Sequence, residues 1–150
     1  MKALGLDVGD LTIGVSVSDD LMISATGVTT IKRTGIKKDT GAVIDLINEY
    51  GTCITVIGMP FMMDGSVSAQ GEKILEFKEK LTNKISSMGI KNHEVVLFDE
   101  RFTTSMAEKV LIEGNLSRKK RKEVIDKQAA VIILQGFLDR INFQKKEAGY

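Results

Sequence analysis

The order in which strand-like and helix-like segments follow one another constrains the fold of this chain most strongly. Alternating apolar residues predict strands over Ala3–Asp7 and Ile13–Val17. Gly9-Asp10 between them predicts the turn of an antiparallel hairpin. A third strand is expected at Ile23–Ile31. Helical and strand-like patterns alternate from there on, which indicates an α/β protein with a mixed central sheet and helices on both faces.

The second part of the chain carries the helices. Apolar residues at three- and four-residue spacing, together with capping residues, predict four of them. They span Asp39–Tyr50, Ser68–Met88, Thr104–Gly114 and Ser117 to about Asn142. Strands are predicted at Ile54–Ile57 and Val95–Phe98. No linker, repeat or low-complexity tract separates these segments, so residues 1–150 are expected to form a single domain.

Composition sets few limits on function. The chain is 43% hydrophobic and 27% charged with a net charge of +1, so a partner has to be inferred from local charge. Cys53 is the single cysteine and lies in an apolar run, as is typical of a buried thiol in a reducing compartment. Neither a signal-peptide pattern nor a membrane-spanning stretch is visible, and we expect a cytoplasmic protein without a membrane partner.

Three carboxylates stand where predicted elements end or begin. Asp7 closes the first strand between two glycines, Glu100 follows the strand at 95–98, and Asp126 lies near the start of the last helix. Packing that helix on the first strand would bring the three together, and clustered carboxylates suit hard divalent cations. Acidic residues at such positions also solvate turns and favour the helix dipole, so their spacing alone leaves both interpretations open.

Positive charge is concentrated just before Asp126. Five cations near the start of a helix oppose its dipole, which favours phosphate binding over a merely solvated surface. The candidate phosphate contacts are Arg118, Lys119, Lys120, Arg121 and Lys122, together with Lys127. Arg101 either binds a phosphate or neutralises the pair Asp99-Glu100. Aromatic residues make up 5% of the chain, so base stacking is not expected to supply specificity.

The glycine-containing run near the start of the chain and the single histidine do not predict a functional site. The run from Gly5 to Gly14 lacks the Gly-Lys-Ser/Thr ending of a P-loop and is followed by a strand, so it does not predict a nucleotide-phosphate loop. His93 is the only histidine and lies in a polar turn, where we expect it on the surface and outside any acid–base or metal chemistry.

Four segments together carry a resemblance to a known family. They are Gly5–Asp19, Ile57–Gly65, Phe98–Thr104 and Ser117–Ala130. In this order they resemble the YqgF family, also called RuvX, of Holliday-junction-resolvase-like proteins described as candidate nucleases for pre-16S ribosomal RNA. One such motif would be weak, whereas four in order along nearly the whole chain are specific.

The resemblance implies a ribonuclease H-like fold in which Asp7, Glu100 and Asp126 are the catalytic residues and the ligands of Mg²⁺ or Mn²⁺. Asp99 remains an alternative to Glu100, because neighbouring strand residues point to opposite faces. Without metal, such carboxylates should raise one another's pKa. The family usually has a Thr-Lys-Arg-like run where this chain has Asp10-Leu11-Thr12, and the lost cations are expected to weaken substrate binding near Asp7.

The expected function is a metal-dependent endonuclease acting on structured nucleic acid, with precursor ribosomal RNA as the favoured substrate. A Holliday junction resolvase, acting on branched DNA as a two-fold dimer, is the second interpretation. A nucleic-acid-binding factor of the same fold with weak or no catalysis is the third. The residues leave RNA and DNA, and a monomer and a homodimer, as open alternatives.

Overall fold

A five-stranded mixed sheet forms the centre of the protein. The structure, a computed structural model, describes residues 1–102 and 118–149, without the side chains of 102 and 118–127. The strands are β1 (Ala3–Val8), β2 (Thr12–Ser18), β3 (Ala25–Lys32), β4 (Ile54–Met59) and β5 (Glu94–Asp99), in the spatial order β3-β2-β1-β4-β5. β1, β2 and β3 pair antiparallel, and β4 and β5 extend the sheet in parallel. The predicted hairpin and mixed sheet are confirmed.

Helices cover both faces of the sheet, as predicted. α1 (Ile36–Tyr50) and α2 (Ala69–Ser87) pack on one face through a core that includes Leu6 and Phe77. α3 (Arg118–Glu147) packs on the other face, where its apolar residues meet Ala3 and Val56. The predicted helix between 104 and 114 lies outside the described residues. Within the described ranges, no helix is long and apolar enough to cross a membrane.

Two boundaries differ from the sequence prediction for physical reasons. Asp39 is not the cap of α1 but a buried residue in its first turn, where its carboxylate accepts hydrogen bonds from the Thr34 amide and the Arg33 guanidinium. β3 begins at Ala25 rather than at Ile23, because the Asp19 carboxylate accepts the amide of Ile23 and holds that residue in the turn.

Close contact between α3 and the sheet depends on small residues. A Cβ atom on Gly5 would lie 2.7 Å from Cβ of Leu134, and one on Gly136 would lie 2.8 Å from the ring of Phe98. The Ser16 hydroxyl donates a 2.7 Å hydrogen bond to the Ala130 carbonyl. The middle of α3 therefore runs beside β1 and β2, and its position along the strands is fixed.

Candidate active site

Asp7 and Glu100 share one end and one face of the sheet. β1 and β4 are parallel, and Leu6 pairs with Ile57, so Asp7 and Gly58 follow side by side at the carboxyl ends of the two strands. A Cβ atom on Gly58 would lie 2.8 Å from both Cδ and Oε1 of Glu100. The Glu100 carboxyl group therefore lies over Gly58, on the face that α3 covers.

The protonation of Glu100 reflects this position. Burial, followed by the negative charges of Asp7 and Asp99, raises the pKa of Glu100 to about 7. The charges of Asp7 and Asp99 add to the effect of burial in the direction expected for neighbouring carboxylates. A cation bound beside this carboxyl group would favour its ionised form.

Asp99 points to the opposite face. Val96 and Phe98 pack with the α3 side of the sheet, whereas Val95 and Leu97 pack with the α1 and α2 side, so alternation places Asp99 with the latter. The structure thus places Glu100, and not Asp99, on the same face as Asp7. The assignment of either residue as a ligand stays a prediction.

Arg101 is bound to Asp99. Its Nε lies 3.1 and 2.9 Å from the two carboxylate oxygens, and its Nη2 lies 2.6 Å from Oδ2. The Arg101 amide donates a further hydrogen bond of 3.0 Å to Oδ1. These bonds hold the pKa of Asp99 below its usual value, although burial opposes them. The structure shows that Arg101 pairs with Asp99, and its role as a phosphate ligand stays a prediction.

Asp126 belongs to α3, one helical turn before Ala130. Its side chain, those of Arg118–Lys122 and that of Lys127 lie outside the described part of the structure. Among the described side chains, no group of three or more His, Cys, Asp or Glu residues could hold a metal ion. The described part of the candidate site therefore consists of the pair Asp7 and Glu100.

The hairpin turn after Asp7 is anchored by Arg33, a residue that the sequence did not single out. Nη1 of Arg33 donates a 2.8 Å hydrogen bond to the Gly9 carbonyl, and its Nε pairs with the buried Asp39 at 3.0 Å. Although burial opposes it, hydrogen bonds from Thr34 and Arg33 lower the pKa of Asp39. The sequence shows only an acid six residues after an arginine, and the burial that makes this pair an anchor is visible only in the structure.

Asp10, which stands in place of the family's usual basic run, has a cationic partner. Its Oδ1 lies 3.3 Å from Nζ of Lys73 on α2, and both side chains are exposed. An exposed pair of this kind adds little stability. The ammonium of Lys73 neutralises Asp10 at the hairpin tip, beside the strand that carries Asp7.

The structure contradicts the prediction that His93 lies on the surface. His93 is partly buried and not a surface residue, because its Nε2 lies 2.8 Å from the Thr55 hydroxyl and its Nδ1 lies 3.0 Å from the Thr52 carbonyl. Burial lowers the pKa of His93, against the effect of the Thr52 hydrogen bond. It precedes β5, whereas Glu100 follows the other end of that strand.

The strand order and the helices on both faces define a protein with a ribonuclease H-like fold. Its acidic pair lies at one end of the sheet, where Asp7 belongs to the central strand β1 and Glu100 follows the edge strand β5. T. thermophilus RuvC, solved in complex with a Holliday junction substrate, superposes with a TM-score of 0.59 at 14% identity, covering 95% of this chain and 96% of RuvC.

The family described as "RuvX: Holliday junction resolvase" matches residues 1–140, and this chain belongs to that family. A relative from Clostridium tetani is 47% identical over 141 residues, covering 94% of this chain and 98% of the relative. A relative from Desulforamulus reducens is 49% identical over 139 residues, covering 93% and 97%. Both relatives carry the name "Putative pre-16S rRNA nuclease".

Proposed function

We propose that this protein is a metal-dependent endonuclease that hydrolyses phosphodiester bonds in structured nucleic acid, with pre-16S ribosomal RNA as its substrate. The observation that carries the proposal is the placement of Asp7 and Glu100 on one face of the sheet, with the pKa of Glu100 raised to about 7. A buried acid beside a second acid, with a raised pKa, is typical of a functional site. The names of the relatives supply the substrate.

The residues fit a hard divalent cation. Asp7 and Glu100 offer carboxylate oxygens without a nitrogen or sulfur donor, which suits Mg²⁺ or Mn²⁺. Asp126 is the proposed third ligand, and its place in α3 one turn before Ala130 supports it. When bound, such an ion lowers the pKa of a water molecule and polarises a phosphoryl oxygen.

The chain's own groups account for substrate binding. The cations of α3 flank Asp126, so we propose that they bind the nucleic-acid backbone beside the acidic pair. Phosphate contacts of this type position a substrate without reading its sequence. They are Arg118, Lys119, Lys120, Arg121, Lys122 and Lys127. We further propose that the protein works in the cytoplasm, where ribosomal RNA precursors are processed, as a monomer or a homodimer.

Holliday junction cleavage is the second candidate. The description of the family and the fold shared with a junction-bound RuvC favour it. The structural likeness at 14% identity shows the fold alone, whereas relatives at 47% and 49% identity carry the name of an RNA nuclease. We therefore rank RNA cleavage first.

A single cleavage assay separates these candidates. One purified preparation is incubated with a pre-16S ribosomal RNA fragment, a four-way DNA junction and single strands of each, in Mn²⁺, Mg²⁺ or a chelator. The proposal predicts metal-dependent cuts in the RNA precursor. Symmetric nicking of the junction alone would select the resolvase, and binding in chelator without cleavage under any condition would select a non-catalytic nucleic-acid-binding factor.

A further inference from the structure

We propose that Asp99 and Arg101 are positioning residues that fix Glu100 beside Asp7, and that Arg101 is not a phosphate ligand. This inference rests on the proposed function, since it concerns how the metal-binding carboxylate is held. It assigns one role to Glu100 and a different role to its two neighbours, Asp99 and Arg101. Glu100 serves the site on the α3 face, and its two neighbours secure it from the other face.

Hydrogen bonds join Asp99 and Arg101, the residues on either side of Glu100. Three hydrogen-bonding contacts join the guanidinium of Arg101 to the carboxylate of Asp99, and the amide of Arg101 donates a fourth hydrogen bond to it. Side chain and backbone are thereby tied across Glu100, in the 3-10 turn 100–102 that follows β5. A bidentate arginine–carboxylate pair fixes direction as well as distance. These contacts fix the backbone position from which the Glu100 side chain reaches over Gly58.

A second contact ties the same turn to β4. The guanidinium of Arg101 lies over the ring of Phe61, with its central carbon 5.7 Å from the ring centroid. The Phe61 amide donates a 3.1 Å hydrogen bond to the carbonyl of Met59, the last residue of β4. Because Gly58 precedes Met59, Arg101 links the turn that carries Glu100 to the end of the strand over which the Glu100 carboxyl lies.

The loop that carries Phe61 is itself well anchored. Phe61 pairs with Val67 in an isolated antiparallel bridge, and the Met62 amide donates a 2.9 Å hydrogen bond to the Ser66 carbonyl. Val67 packs against Gly71, where a Cβ atom would lie 2.8 Å from its Cγ1. Arg101 thus rests on a segment held by both β4 and α2, as a positioning role requires.

Electrostatics and positioning predict different outcomes for two single variants. Through charge alone, Asp99→Asn should weaken cation binding at Glu100, whereas Arg101→Gln should strengthen it, because one removes a negative and the other a positive charge. If the pair positions Glu100, both variants weaken binding. The signs of the two effects therefore distinguish the accounts without reference to catalysis.

The test is calorimetric titration of Mn²⁺ into the intact protein and its variants. Asp99→Asn, Arg101→Gln and Arg101→Lys should each raise the dissociation constant about 10- to 100-fold, the usual effect of removing a partner that orients a ligand. The double variant Asp99→Asn/Arg101→Gln should be no worse than either single one, because both break the same contact. Glu94→Gln, an exposed carboxylate at the other end of β5, is the matched control and should bind like wild type.

Nucleic-acid affinity in chelator is the second readout. All three single variants should bind a duplex with wild-type affinity and salt dependence. A flatter salt dependence in Arg101→Gln, with Arg101→Lys retaining the wild-type slope, would instead make Arg101 a phosphate contact and overturn the proposal. Loss of Mn²⁺ binding in Asp99→Asn as complete as in Asp7→Asn, with Arg101→Gln unaffected, would make Asp99 a ligand. Wild-type protein that binds no Mn²⁺ would overturn the proposed function itself.

Discussion

Replacing Glu100 by glutamine should stabilise the metal-free protein at neutral and alkaline pH. The substitution keeps the size of the side chain and removes its titration. In the folded protein the pKa of Glu100 is raised to about 7 from 4.5, so its ionised form is disfavoured there. Between these two values the unfolded chain binds fewer protons than the folded one, and stability falls as pH rises.

The magnitude follows from the two pKa values. A difference between 4.5 and about 7 corresponds to about 3 kcal/mol, since one pKa unit is about 1.4 kcal/mol. Glu100 retains some exposure, and water reduces the effect, so we expect about 2 kcal/mol in practice. The full difference should be present above pH 7, decline as pH falls towards 4.5, and be absent below that.

Urea denaturation in chelator at pH 4.5, 6, 7 and 8 measures the free energy of unfolding of both proteins. Glu79→Gln, which removes an exposed carboxylate on α2, is the matched control and should follow wild type at every pH. A Glu100→Gln variant whose advantage does not grow with pH would show that Glu100 ionises freely. The inference that burial and the neighbouring carboxylates raise the pKa of Glu100 would then be refuted.

Three further results are expected. Gly58→Ala should weaken Mn²⁺ binding at least tenfold in calorimetry, because its Cβ would lie 2.8 Å from the Glu100 carboxyl group and would also clash with Cδ1 of Ile133. The control Gly41→Ala on α1 meets only the end of a flexible lysine at 3.3 Å and should bind normally. Mn²⁺ affinity of wild type should rise with pH up to about pH 7 and then level off, because a ligating carboxyl must lose its proton; a flat profile from pH 5 to 8 would contradict this. A variant with glutamine in place of Lys119, Lys120 and Lys122 on α3 should bind every nucleic acid more weakly in a salt series. The plot of log affinity against log salt should lose about one unit of slope for each duplex contact removed. An unchanged slope would mean that the cluster is only a solvated face.

Local patterns predicted most of the fold. α2 follows its apolar spacing from a Ser68 cap, whose hydroxyl accepts the Gly71 amide at 3.1 Å, so every signal for it lies within a few residues. The hairpin of β1 and β2 is equally local. Asp39 shows where such reasoning fails. It looks like a cap, but Arg33 draws it into a buried ion pair, and α1 begins at Ile36.

The candidate site was only partly visible in the sequence. Asp7 could be identified because glycines flank it at a strand end, but the choice between Asp99 and Glu100 depends on where β5 ends. Gly58 was a sequence signal for Glu100, because a strand residue without a side chain makes room for a group that follows the neighbouring strand. The partners of His93 lie 38 and 41 residues away in sequence, and no local pattern could reveal them.

The central claim is that Asp7 belongs to a metal site that cleaves nucleic acid, and one comparison tests it most directly. Mn²⁺-dependent cleavage of a pre-16S ribosomal RNA fragment is measured for wild type, Asp7→Asn and Asp20→Asn. Asp20 is the control because its exposed carboxylate lies in the turn after β2, near Lys2 at the opposite end of β1. We predict that Asp7→Asn folds like wild type and loses cleavage, whereas Asp20→Asn retains it. Wild-type cleavage by a folded Asp7→Asn variant would contradict the account.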